Sequence, residues 1–340
     1  MGLLSSQIPT KRLVPVCRQL ATSYSAGIPI LRSLELVGGD LKDPKSREVL
    51  ADVHDDIKNG STLSASVRRQ AQYLPSFFVE LLSSGELGGK LDVMLNDLAD
   101  YYEDRLATRR MIIGKMIYPI FVLVIAWFLG SFALMLIARL WSKGFNLMAY
   151  LRFYAVFQVV ALTVFAGLVV LCIVLARLGV FKWIWGWVST YIWPLGPVTL
   201  RFGLARFFRS MSLLIGSGMS MPRCIEASAA VTVNPYLARD LLQAVPQVMD
   251  GATLVQAFAG SKFLTPQARE MLLVGEESGK LEEALRKVSE YHNQEAAHAV
   301  DVATRVAEVV MILGGALVVG YIYISFFMKY YGGMLDSLGV

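Results

Sequence analysis

Gly85-Glu86-Leu87-Gly88-Gly89-Lys90-Leu91 returns as Gly275-Glu276-Glu277-Ser278-Gly279-Lys280-Leu281, 275 − 85 = 190 residues further along the chain. Toward the N-terminus one residue is lost and the offset becomes 251 − 60 = 191, which pairs Gly60-Ser61-Thr62-Leu63 with Gly251-Ala252-Thr253-Leu254. The same offset pairs Pro75 with Pro266, Pro44 with Pro235, Glu35 with Glu226, Arg32 with Arg223, Gly27 with Gly218 and Arg18 with Arg209. Toward the C-terminus Leu95 meets Leu285 and Tyr101 meets Tyr291. An ordered series held in register with a single gap is the signature of a duplicated structural unit.

Within each copy the apolar residues recur at three and four positions, as from Leu13 to Tyr24, and no comparable strand pattern appears. Helix ends are marked at Ala26-Gly27 and Asn59-Gly60, and helix starts at Pro44, Thr62 and Pro75. Each copy therefore reads as an all-α bundle of about six helices. The heptapeptide reads as a helix-turn-helix joint, with glycines allowing a tight reversal and Leu91 or Leu281 turned inward. Glu86 and Glu276 then stand near a helix C-terminus, where a carboxylate opposes the dipole. Lys90 and Lys280, four residues on, are expected to offset it. The competing role for the two glutamates is contact with a partner. A phosphate-binding loop is excluded, since it needs a glycine where Ser84 and Val274 stand and a Ser or Thr where Leu91 and Leu281 stand.

The residue composition is 55% apolar and 17% charged, and mean hydropathy is +0.51, values that point to a membrane protein. Three windows, Ile112 to Ile137, Phe153 to Ala176 and Val306 to Met328, reach the ~20 residues that cross a bilayer. The first 25 residues build no apolar core of a signal peptide, so none is expected. Met1-Gly2 with Ser6 fits a myristoylation pattern, on residues too common to weigh much. The expected layout is a first bundle over 1–111, spans at 112–137 and 153–176 joined by a short loop at 138–152, and a Trp-rich connector over 177–205. A second bundle over 206–305, a third span at 306–328 and a tail at 329–340 complete it. Indoles such as those of Trp183, Trp185, Trp187 and Trp193 favour the bilayer interface. A continuous helix from Leu91 to Ile137 would be roughly 70 Å long, kinked at the membrane boundary by Tyr118-Pro119. Leu281 to Met328 would make a matching rod.

Cys17, Cys172 and Cys224 show no paired spacing, and His54, His292 and His298 lack the separation of two ligands on adjacent helical turns. Neither a disulfide framework, a metal site nor a cofactor is expected. The formal charge of +5 suits anionic lipid or an acidic partner. Lys and Arg are scattered and not interleaved with aromatics, which argues against nucleic acid. No catalytic set occurs in a span, so no enzyme is expected. A transporter or channel is the competing class, because repeated halves often mean alternating access. It needs polar groups at mid-membrane, where the spans offer Gln158 and Thr163, with Glu308 near an end.

The chain resembles the inner-membrane platform proteins of type II secretion systems and type IV pili. The likeness is carried by Arg18 to Ala21 leading to Ala26-Gly27-Ile28-Pro29, by Gly60 to Leu63, by Gly85-Glu86 with Gly89-Lys90-Leu91, and by Tyr118-Pro119. In the second half it rests on Pro194 to Pro197, Ala205 to Phe207, Gly218-Met219, Gly251 to Leu254, and Gly275-Glu276 with Gly279-Lys280-Leu281. The resemblance implies a multi-pass protein of the bacterial inner membrane with both bundles in the cytoplasm. It implies as partners a cytoplasmic hexameric ATPase, pilin or pseudopilin subunits, other inner-membrane assembly components and further copies of the chain. The function implied is non-enzymatic, coupling the ATPase to insertion of pilin-like subunits into a filament. Charge flanking the first span gives four cations on one side and three in the loop, so the orientation rests on the resemblance.

Overall fold

The computed structural model describes residues 7–140, 146–177, 190 and 195–338. Trp183, Trp185, Trp187, Trp193 and the Met1-Gly2 motif lie outside these residues. Among the described residues the secondary structure is helical, without strands. The first repeat contains α1 (Thr10–Ser25), α2 (Ile30–Asp40), α3 (Pro44–Lys58), α4 (Leu63–Arg69), α5 (Ser76–Leu87) and the start of α6 (Leu91–Leu140). After α7 (Leu147–Arg177) the second repeat runs through α8 (Leu195–Gly216), α9 (Met221–Val231), α10 (Pro235–Leu242), α11 (Ala244–Met249), α12 (Leu254–Ala257), α13 (Pro266–Glu277) and α14 (Leu281–Leu338). One helix, α3, thus corresponds to two, α10 and α11. Pro246 explains the break: it has no N–H to donate, and its ring excludes a helical carbonyl at Leu242.

The backbone repeats as the sequence does. Among the described residues six have positive φ, all glycines, and they form three equivalent pairs: Gly27 and Gly218 at 83°, Gly60 at 91° with Gly251 at 89°, and Gly89 at 64° with Gly279 at 68°. At Gly27 the left-handed residue lets the Ile28 amide reach the Ser23 carbonyl at 3.1 Å, closing α1 with a Schellman turn.

The chain divides into two compact units. One holds residues 1–110 and 182–299, the other residues 111–181 and 300–340. In the first unit the repeats share one continuous apolar core, from Leu13, Leu20 and Phe77 to Phe207, Phe258 and Leu285. They meet where α5 of the first repeat packs against α8 and α9 of the second. Conserving a position does not conserve its contacts. Arg18 lies across α6, its Nε 2.7 Å from Glu103 and its Nη2 2.6 Å from Asp100. Its equivalent, Arg209, instead acts on Asp97 and Asp104 of the other repeat, two carboxyls that burial holds above their ordinary range.

Among the described residues three apolar stretches are long enough to cross a membrane, within Leu91–Leu136, Leu147–Leu171 and Leu281–Met328, and they lie in the second unit. Pro119 lies inside α6, which continues past it. Gln158 on α7 is 6% exposed. Its amide oxygen accepts from Trp127 Nε1 at 3.0 Å, and its nitrogen donates to Ser131 Oγ at 2.9 Å and Tyr154 OH at 2.7 Å. Tyr154 in turn donates to the Phe128 carbonyl at 2.8 Å. The mid-span polar group that a transport pathway would need is therefore engaged in holding α7 to α6. Gln158→Leu should weaken this helical hairpin by about 0.6–1.7 kcal/mol, the range for hydrogen bonds between membrane helices. Denaturation of the detergent-solubilised protein measures it, and an unchanged midpoint would mean the network is energetically idle. Lys115 Nζ and Asp301 Oδ1, 2.5 Å apart, pair α6 with α14 in the same unit.

Candidate functional site: the duplicated turn

The repeated heptapeptide forms the joint from α5 to α6 and from α13 to α14. Gly88 closes α5, and the left-handed Gly89 brings the Lys90 amide back to the Gly85 carbonyl at 2.9 Å. Gly85 is buried because the reversal presses α5 onto α6: a Cβ there would lie 2.8 Å from Met94 Cβ. At Gly275 the same atom would lie 2.6 Å from Ala284 Cβ and 3.2 Å from Leu281 Cα. Leu91 is buried and Leu281 packs partly buried against the core.

The two glutamates do something that the spacing to lysine did not suggest. Glu86 reaches across to the N-terminus of α4, where Oε1 accepts from the Leu63 amide at 2.8 Å and Oε2 from the Ser64 amide at 2.7 Å. Ser64 Oγ also donates to Oε2. The next amide, Ala65, is taken by Thr62 Oγ1 at 3.2 Å. All three leading N–H groups of a helix that has no partner for them within itself are thereby satisfied. Glu276 repeats the arrangement on α12, accepting from Leu254 at 2.5 Å and Val255 at 3.2 Å, while Thr253 Oγ1 takes Gln256 at 3.3 Å. There Gln256 also reaches back to the Thr253 amide, completing a capping box.

The penalty of a carboxylate at its own helix C-terminus is offset by the N-terminus of a different helix. Lys90 and Lys280 are not in the ion pairs of the described residues. Both are exposed, and Lys280 lines a shallow groove with Ile215, Glu282, Glu283 and Arg286. The Gly60 and Gly251 motifs and the Gly85 and Gly275 motifs are thus one tertiary unit. The sequence signal that could have revealed it is that both motifs recur together with Thr-Leu and Gly-Glu intact. Elsewhere Gly27 and Gly218 close α1 and α8, Pro75 caps α5, Pro266 opens α13, and Tyr118 lies exposed on α6 beside buried Pro119. Leu87, at the lip of the first turn, is 83% exposed.

The duplication has a counterpart among known proteins. The family model of type II secretion system protein F matches residues 16–138 and, a second time, residues 207–328. The chain belongs to this family. The type II secretion system protein F of Xanthomonas campestris pv. campestris is 28% identical over 337 residues, covering 94% of this chain and 82% of that protein. The type IV pilus assembly protein PilC of Thermus thermophilus is 27% identical over 333 residues, covering 94% and 81%. PilC of Myxococcus xanthus is 24% identical over 330 residues, covering 92% and 78%. This protein F family member therefore resembles secretion and pilus relatives to a similar degree.

Proposed function

We propose that the protein is a non-enzymatic inner-membrane platform of a secretion or pilus assembly machine. Its repeated bundles face the cytoplasm, receive the cycle of a hexameric ATPase, and guide pilin-like subunits from the bilayer into a filament. The proposed layout is that expected from the sequence, with bundles over 1–111 and 206–305 and spans at 112–137, 153–176 and 306–328. The observation that supports this reading is the pairing of two like bundles, each running into a long apolar helix, in a chain of the protein F family. Two coupled bundles of one design suit transmission of a partner's displacement to membrane helices.

The test is co-purification of the detergent-solubilised protein with secretion or pilus ATPases. Glu86 and Glu276 are poor probes of a partner contact, since each holds its own fold together. Leu87→Asp and Lys90→Glu, on the exposed lip, are the better variants. Retention of an ATPase by the parent protein and loss in a folded lip variant is the expected result. Failure of every such ATPase to bind, together with substrate uptake by liposomes holding this protein alone, would overturn the platform reading in favour of a transporter.

A further inference from the structure

The contact between the repeats joins different faces of the unit. The stripe Glu80, Ser83, Ser84 on α5, with the turn at Gly88, lies under α9 and the turn at Ser217. Ser83 is 1% exposed and also accepts from Arg68 Nε of its own repeat at 3.4 Å, and a Cβ on Gly88 would stand 3.4 Å from the Ser217 carbonyl oxygen. Because the faces differ, each repeat retains one of them without its mate. In the second repeat the stripe is Glu270, Leu273, Val274 on α13, and it is open: Leu273 is 44% and Val274 57% exposed. In the first repeat the opposing face is α2 with the turn at Ala26, and Leu36 stands exposed where its equivalent, Ala227, is partly covered.

The charged rim is the same on the covered and the open faces, with Glu80 matched by Glu270, Arg223 by Arg32, and Glu226 by Glu35. The centre is not. Ser83-Ser84 and Ala227 in the covered pair become Leu273-Val274 and Leu36 in the open pair, so the open faces are the more apolar ones. Exposed leucine and valine at positions that the same fold covers elsewhere in the same chain, fully at Ser83 and partly at Ser84 and Ala227, leave an apolar face open to a partner, and the mate each face has within the chain is the other repeat. We infer that copies of this protein associate head to tail, the α13 stripe of one copy seating against α2 and the Ala26 turn of the next, as α5 seats against α9 within each chain. Such a contact is heterologous and builds rings or open arrays, not two-fold dimers. It does not depend on the ATPase reading.

The test is disulfide trapping of the full chain in native membranes, with Cys172→Ala as background. Cys17 and Cys224 are buried, and burial pushes both thiols up, Cys224 to about 12, so they stay inert. The intrachain control is Gly88→Cys with Ser217→Cys. The equivalent pair between copies is Ser278→Cys with Ala26→Cys, both at exposed positions. The double variant is expected to give a ladder of dimers and higher multiples under oxidation, and each single variant none. Adding Leu273→Asp should abolish the ladder, and in detergent should shift the mass of the uncrosslinked protein to the monomer. A dimer from either single variant would mean a two-fold contact and overturn the inference. So would absence of the ladder with an unchanged mass in Leu273→Asp, or loss of a bound ATPase as the sole effect of that substitution.

Discussion

Glu86→Ala is expected to lower the stability of the first repeat by about 2–3 kcal/mol, and Glu276→Ala that of the second by a similar amount. Each carboxylate takes two backbone N–H groups, and charge-assisted bonds of this kind contribute about 1.5–3 kcal/mol apiece. The half-exposed position of both glutamates lets water recover part of the loss, which sets the figure below the simple sum. Glu86→Gln should cost less, because one amide oxygen can still accept while the nitrogen meets a donor it cannot bond. Hydrogen exchange checks the mechanism directly. The Leu63 and Ser64 amides should lose protection in Glu86→Ala before the rest of the repeat does, and the Leu254 and Val255 amides in Glu276→Ala. Normal protection with normal melting, accompanied by loss of a binding partner, would instead return the glutamates to a partner-facing role.

The contrast between these glutamates and the glycines around them shows what a single chain can disclose about its own fold. The duplicated glycines were legible because each answers a local demand: a left-handed turn can be read from Gly89 and Gly279 without knowing what lies nearby. The same holds for the helix starts at Thr62 and Thr253, whose hydroxyls cap three residues on. Glu86 was misleading because its nearest cation in sequence is Lys90, whereas its bonding partners lie 22 and 23 residues back. Spacing rules for side chains on one helix do not see a helix that folds back beside it. The joining of the repeats was hidden for a related reason. Nothing local to Glu80, Ser83 and Ser84 sets them apart from a solvated polar face, and part of their cover comes from a second copy of the same fold. Gln158 gave a fainter hint, a lone amide in an apolar span, and its partners Trp127 and Ser131 come from the neighbouring helix. The break between α10 and α11 was open to inspection in Pro246, since its equivalent position in the first repeat is Asp55.

Gly275→Ala carries the other large effect, with a compensation that separates packing from backbone conformation. Gly275 lies inside α13 and needs no left-handed freedom, so alanine should be welcome there on helix propensity alone. The obstacle is the Ala284 methyl, 2.6 Å from the atom that would be added, with Leu281 Cα at 3.2 Å behind it. Neither is the free end of a flexible chain, so α13 and α14 must move apart, at about 1–3 kcal/mol for overpacking of this kind. Gly203, which faces the terminal methyl of Leu237 at 2.4 Å, should tolerate alanine far better because that side chain can turn away. Ala284→Gly removes the opposing methyl. The double variant Gly275→Ala/Ala284→Gly should therefore recover most of the stability lost by the first change, even though glycine in place of alanine costs a helix about 1 kcal/mol by itself. Thermal melting of the four proteins of this cycle gives the coupling, expected to exceed about 0.5 kcal/mol for residues in contact. Additive losses would show that the two helices do not press together at this turn, and the close joint through which each bundle continues into its long helix would have to be redrawn.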